Sequence, residues 1–250
     1  MDKKLERQVY RFGLIGKNIE YSFSRAYFSN KFESEKLPYT YENFDFESIN
    51  EFSELLKIKN IKGLNVTIPY KEAIIPFLDK IDKKAKKIGA VNTIKFTKKG
   101  KLVGYNTDYY GFIKSIKPFI KSHHKKALIL GTGGASKAIA YGLEKLKIDY
   151  NFVSRHQSKV AKLTYDGLDE TIILNHQIII NCTPLGTHPN INECPKIPYD
   201  GITNNHLLFD LIYNPEESKF LTIGKLKGAS ICNGSRMLEL QAEKAWEIWT

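Results

Sequence analysis

Lys71 and Asp108 have the residue types and settings that suit proton transfer. Lys71 ends the segment Asn65-Val66-Thr67-Ile68-Pro69-Tyr70-Lys71, and Asp108 follows Asn106-Thr107 in GYNTDYYG. Asn92 lies in a third such setting, GAVNTI. Each polar group stands beside an apolar stretch that reads as a strand, and open α/β sheets bind ligands at the carboxyl ends of their strands. Singly, each also has a structural use: Asp108 is a good helix N-cap, and Asn92 a turn former. Together they place a lysine and a carboxylate where a proton could be handled. A free lysine has a pKa of about 10.4, so a lysine base needs burial to lower it. A nearby aspartate opposes that lowering, which makes the two a coupled unit.

Oxidising an alcohol needs a hydride acceptor as well as a proton acceptor. The stretch Ala127–Gly142, ALILGTGGASKAIAYG, points to one. Its apolar run Ala127–Leu130 has the length of a buried parallel strand, and Gly131, Gly133 and Gly134 follow at once. Ala138, Ile139, Ala140, Gly142 and Leu143 then give a helix a small-residue face. Strand, glycine turn and helix form the setting in which backbone N–H groups and a helix N-terminus hold a dinucleotide pyrophosphate. The pattern is G-x-G-x-x-S, with Ser136 in place of a third glycine, and a turn without ligand is the competing reading. The next strand decides the cofactor. An acid at its end would bind the ribose of NAD, whereas basic residues accept the 2′-phosphate of NADP. Here Val153 is followed by Ser154-Arg155-His156 and then Lys159, and Asp149 precedes the strand. Arg155 can fork onto a phosphate and Lys159 adds a point charge. NADP is the expected cofactor.

These residues need a scaffold of strands alternating with helices. Strands are expected over Val9–Ile15, Tyr39–Phe44, Ile61–Ile68, Tyr150–Val153, Ile178–Asn181 and Leu207–Asp210. A hairpin is expected over Val91–Phe96 and Lys101–Tyr105. Helices are expected over Ser24–Glu35, Ile49–Leu56, Lys71–Leu78, Ile81–Ile88, Asp108–Phe119 and Arg236–Trp249. The alternation predicts an α/β architecture with parallel sheets. The glycine loop begins near residue 131, which leaves the first ~105 residues enough chain for a domain of their own. Hydrophobic and charged contents of 42% and 26% are ordinary for a globular protein. No apolar run approaches the ~18 residues of a membrane span. The N-terminal MDKKLERQVYRFGLIG lacks an apolar signal core, which predicts a cytoplasmic protein. Three cysteines without CxxC spacing argue against a disulfide framework or a thiolate metal site. The net charge of +11 is scattered lysine, a matter of solubility more than of nucleic-acid binding.

The chain resembles the shikimate dehydrogenase family. The resemblance is carried, in order, by Ser22-Phe23-Ser24, NVTIPYK, GAVNTI, GYNTD, GTGGAS, NCTPLG, DLIYNP and NGSRMLELQ. It implies NADPH-dependent, reversible reduction of 3-dehydroshikimate to shikimate. It also implies two domains: an N-terminal α/β substrate domain (1–106) and a C-terminal Rossmann-like NADP-binding domain (107–233). A terminal helix (234–250) would return Gln241 to the substrate domain, with the active site in the cleft. Lys71 and Asp108 resemble the catalytic pair, and Ser22 and Ser24 the pair that holds the substrate carboxylate. Thr67, Asn92 and Gln241 look like substrate-hydroxyl contacts, with Asn65 and Tyr213 lining the site. Hydroxyls and amides suit a polyhydroxylated ring, because such a site rejects analogues lacking the hydroxyls. Gly131, Thr132, Gly133, Gly134 and Ala135 match the pyrophosphate loop. Ser154, Arg155, His156 and Lys159 match the adenosine-phosphate clamp, and Thr183, Ile212 and Gly234 the nicotinamide neighbours. Arg25 stands where the family usually has proline. The clamp shows Ser154 and His156 in place of the Asn-Arg-Thr pattern, and Lys159 for Arg, which implies a less strict NADP preference. Ser24, rather than threonine, favours shikimate over quinate. The expected partner is a small-molecule substrate, with no nucleic acid or membrane, for a monomer or homodimer. The competing readings are a quinate/shikimate dehydrogenase using NAD and a non-catalytic NADP-binding regulator; Lys71 and Asp108 argue against the latter.

Overall fold

The computed structural model describes residues 9–20 and 22–250. The charged stretch 1–8 of the N-terminal segment lies outside the described residues. The chain divides into two compact units, one comprising the chain up to Thr107 with Ala242–Thr250, the other Asp108–Gln241.

The first unit runs β1 (Tyr10–Gly16), α1 (Phe23–Ser34), β2 (Tyr39–Asp45), α2 (Phe52–Leu55), β3 (Ile61–Val66), β4 (Lys80–Ile81), α3 (Lys83–Ile88), β5 (Thr93–Phe96) and β6 (Leu102–Tyr105). Its six strands lie in the order β2-β1-β3-β5-β6-β4. β1 pairs in parallel with β2 and β3, but β5 is antiparallel to both β3 and β6. The expectation of parallel sheets is therefore corrected for this unit: the short Lys99-Gly100 turn forces a hairpin, and a hairpin is antiparallel. The expected helix over Lys71–Leu78 is also corrected. Residues 71–74 are turns, followed by one 3-10 turn, Ile75–Phe77, with Pro76 at its start. Pro76 has no N–H and cannot sit inside a continuing α-helix. Ile81 belongs to β4 rather than to a helix, and α3 starts behind the Asp82 cap, whose carboxylate accepts the Lys84 N–H at 2.9 Å.

Alternation along the strands fills two cores, one on each face of the sheet. Phe12 and Leu14 of β1 join Phe28, Phe32, Tyr41, Ala242, Ala245 and Trp249. Ile15, Leu64, Val66, Ile74, Val91 and Ile94 belong to the second cluster.

The second unit runs α4 (Asp108–Ile116), β7 (Lys126–Leu130), α5 (Gly134–Leu146), β8 (Asp149–Ser154), β9 (Leu163–Thr164), α6 (Glu170–Leu174), β10 (Ile178–Asn181), β11 (Leu207–Asp210), α7 (Lys219–Leu226), β12 (Ser230–Cys232) and α8 (Ser235–Trp249). The α4 helix stops short of the expected Phe119 because Pro118 starts a 3-10 turn, Lys117–Phe119. The sheet is parallel throughout, in the order β12-β11-β10-β7-β8-β9. Read from β9, this is the Rossmann order 3-2-1-4-5-6, with its switch point beside β7. Both faces of β7 are buried: Ala127 and Ile129 enter one core, Leu128 and Leu130 the other. Of α8, Ser235–Gln241 belongs to this unit and Ala242–Trp249 to the first.

Candidate active site

In the first unit the polar residues flagged in the sequence gather at the ends of β1 and β3. Ser22 caps α1, its hydroxyl accepting the Arg25 N–H at 3.2 Å and donating to Asn43 Oδ1 at 3.0 Å. Ser24 lies in the first turn of the same helix and is buried. Asn65, near the end of β3, is buried and accepts from the Tyr41 hydroxyl at 2.7 Å. Its amide donates to the Asn92 carbonyl at 3.3 Å and to Thr93 Oγ1 at 3.4 Å. Asn92 in turn donates to Thr107 Oγ1 at 3.0 Å and accepts the Thr107 N–H at 2.7 Å. Asn65, Asn92 and Thr107 thus form one buried polar ladder, and Asp108 follows Thr107 directly in the chain.

Thr67 leaves β3 with its N–H on the Ile15 carbonyl at 2.8 Å, and the Tyr70 N–H closes a turn onto the Thr67 carbonyl at 2.9 Å. This turn delivers Lys71, half-buried, beside the segment that carries Asn92. The Lys71 carbonyl accepts the Val91 N–H at 2.7 Å. Arg25 is exposed on α1.

In the second unit, Gly131 ends β7 at φ +103°, a conformation that side chains rarely adopt, with its N–H on the Val153 carbonyl at 2.8 Å. Thr132 and Gly133 are exposed, and α5 begins at Gly134 followed by Ala135. A Cβ built on Gly133 meets nothing within 4 Å, so open space lies beside the residue that caps the α5 N-terminus. That cradle fits a pyrophosphate. Ser136 donates to the Gly133 carbonyl at 2.6 Å, so the serine in the third-glycine position braces the turn. Ser154, whose hydroxyl bonds the His156 carbonyl, ends β8, and Arg155, His156 and Lys159 follow it exposed. Basic side chains free to reach solvent fit a phosphate of the cofactor.

Thr183, Ile212 and Gly234 are tied together through residues that the sequence reading passed over. Thr183 donates its hydroxyl to Asn181 Oδ1 at 2.6 Å, and Asn181 donates to Asp210 Oδ1 at 3.0 Å. The same carboxylate oxygen accepts the Ile212 N–H at 3.0 Å, while Ser218 donates to Oδ2. The Gly234 N–H reaches the Ile212 carbonyl at 2.9 Å, and a Cβ at Gly234 would lie 2.2 Å from the Leu211 carbonyl oxygen. Only glycine fits there. Asn181 and Asp210 each end an apolar strand, IIIN and LLFD, which is the signal that had flagged Asn65. Tyr213 is exposed, and Gln241, buried, is the last residue of this unit and donates to the Leu238 carbonyl at 3.0 Å. Asp108 is buried at the first turn of α4.

Burial pushes the Asp210 carboxyl up to about 6, against the hydrogen bonds from Ser218, Ile212 and Asn181 that lower it. Burial holds His124 and His176 below the ordinary histidine value, with His123 adding to the effect on His124. The signs are opposite. Below about pH 6.5 the unfolded chain takes up protons that the two folded imidazoles refuse, so their contribution falls on acidification. Between about pH 6 and pH 4 the folded Asp210 binds a proton that the unfolded chain does not, so its contribution rises. Asp210→Asn is therefore expected to steepen the loss of stability between about pH 7 and pH 5, read as urea midpoints. An equal or shallower loss in the variant would refute the assignment.

A six-stranded Rossmann sheet with a glycine cradle at its switch point, joined to a second α/β unit with a polar ladder at its strand ends, defines a two-domain dinucleotide-dependent dehydrogenase. Comparison with known proteins agrees. Residues 14–94 match the model of the shikimate dehydrogenase substrate binding domain. The chain is 42% identical over 252 residues to a shikimate dehydrogenase (NADP(+)) of Clostridium botulinum, covering 96% of each. The structure of shikimate dehydrogenase from Aquifex aeolicus superposes with a TM-score of 0.86 at 35% identity, covering 98% of this chain and 94% of that one. That of shikimate 5-dehydrogenase from Thermus thermophilus, in complex with NADP(H) and shikimate, superposes at 0.85 with 28% identity, covering 96% and 93%. This chain belongs to the shikimate dehydrogenase family.

Proposed function

We propose that this protein catalyses the reversible NADPH-dependent reduction of 3-dehydroshikimate to shikimate, in chorismate and aromatic amino-acid biosynthesis, in the cytoplasm. The observation that carries the reading is the buried Asn65–Asn92–Thr107 ladder, which holds the amides around the Lys71 turn in one fixed arrangement. When bound, the cofactor supplies or accepts the hydride. The protein does the rest. Lys71 and Asp108 handle the proton of the reacting hydroxyl. Ser22 and Ser24 hold the substrate carboxylate, and Thr67, Asn92 and Gln241 bond its hydroxyls, with Asn65 and Tyr213 lining the site. The glycine turn 131–135 holds the pyrophosphate, and Thr183, Ile212 and Gly234 shape the nicotinamide end.

Shikimate-dependent reduction of NADP, followed by NADPH absorbance, is the direct test; no turnover with shikimate would overturn the reading. The cofactor choice rests on Arg155, with Ser154, His156 and Lys159 around it. A charged hydrogen bond contributes about 1.5–3 kcal/mol. Arg155→Ala should therefore raise the KM for NADP roughly 10–150-fold and leave that for NAD unchanged. An equal effect on both cofactors, or none, would place the 2′-phosphate elsewhere.

A further inference from the structure

The Tyr41 hydroxyl holds one of the residues assigned to the substrate: it donates to Asn65 Oδ1 at 2.7 Å. Both side chains are buried, at 6% and 3% exposure for Tyr41 and Asn65. The proton inventory fixes the direction of each bond. Asn65 Nδ2 faces the Asn92 carbonyl and Thr93 Oγ1, so its oxygen faces Tyr41, and an amide oxygen can only accept. Tyr41 thus spends its one proton on Asn65. Burial raises the Tyr41 pKa, which keeps the hydroxyl a donor across neutral pH.

The ring is held separately from the hydroxyl. It stacks on Phe28 of α1 at 4.8 Å between centroids, with 13° between planes. Asn43 stands two residues along β2, on the same face. It accepts from Ser22 at 3.0 Å while its own amide donates to the Ile19 carbonyl at 2.6 Å. One face of one strand therefore orients Ser22 through Asn43 and Asn65 through Tyr41.

We infer that Tyr41 is a positioning residue for the substrate: its hydroxyl fixes the side-chain oxygen of Asn65 and so the orientation of the amide that lines the ring. The inference rests on the proposed function. Tyr41→Phe tests it, because phenylalanine keeps the Phe28 stack and removes only the bond to Asn65. Losing a donor to a buried amide oxygen is expected to raise the KM for shikimate about tenfold. The KM for NADP should stay at the wild-type value, and kcat should change by less than about twofold. In an Asn65→Ala background the same substitution should add less than about twofold to the shikimate KM, since contacting residues are not additive. A purely structural tyrosine predicts a lower melting temperature with an unchanged shikimate KM, and that outcome overturns the inference. So does an equal rise in both KM values, or full additivity with Asn65→Ala. The wild-type control separates the two claims. Wild-type protein that neither turns over nor binds shikimate overturns the proposed function and this inference together, whereas an active wild type with an unaltered variant overturns only the role of Tyr41.

Discussion

Lys71→Ala is expected to lower kcat for shikimate oxidation by about 10²–10⁴-fold, the range that a positioned general acid or base contributes. The shikimate KM should change by far less. The reasoning is that proton transfer is felt in the transition state, whereas the carboxylate and the ring hydroxyls are assigned to other residues: Ser22, Ser24, Thr67, Asn92 and Gln241. The turn that delivers Lys71 is held by backbone bonds from Thr67, Tyr70 and Val91, none of which uses the lysine side chain. Truncation therefore removes the amine without dismantling its setting. A loss confined to KM would make Lys71 a binding residue only. Loss of kcat with an unaltered melting temperature separates chemistry from misfolding.

The largest expected effect on stability is at Trp249. Trp249→Ala should destabilise the first unit by about 3–5 kcal/mol, the usual cost of truncating a buried tryptophan. The indole is 6% exposed and stands 5.0 Å from the Phe12 ring and 5.2 Å from that of Phe28, between centroids. Its Nε1 donates to the Ile94 carbonyl at 3.0 Å. It also fills the space above Gly63, where a Cβ would come within 2.3 Å of the ring. Alanine leaves a cavity over β3 and removes a donor from β5, two losses that compound. Urea unfolding measures the effect, and a loss below about 1 kcal/mol would show that the cluster collapses into the gap.

Much of this was legible in the sequence because the apolar runs were unambiguous. Ile178–Asn181 and Leu207–Asp210 are strands at the residues expected, since runs of aliphatic residues ending in a polar one have few other uses. The hairpin around Lys99-Gly100 is visible in the sequence, and it makes the first sheet mixed where alternation alone predicts a parallel one. The two- and three-residue strands β4, β9 and β12 were missed because edge pairing needs no hydrophobic period of its own. Residues 71–78 looked helical on composition, and Pro76 decided otherwise. At the site, the sequence flags the residues proposed to meet the ligand but not those behind them. Tyr41 reads as an ordinary aromatic strand residue, and the role proposed for it exists only through the long-range bond to Asn65.

The pairing of Asn181 with Asp210 also bears on how the second sheet finds its alignment. Runs such as Ile178–Ile180 and Leu207–Phe209 are greasy on both faces, so sliding one past the other would cost their packing little. A slip by one residue, however, sets Asn181 opposite an apolar neighbour and takes from the buried Asp210 carboxylate its amide donor. The amide and the acid, met at one rung, act as a proofreading mark that favours this register over its apolar alternatives.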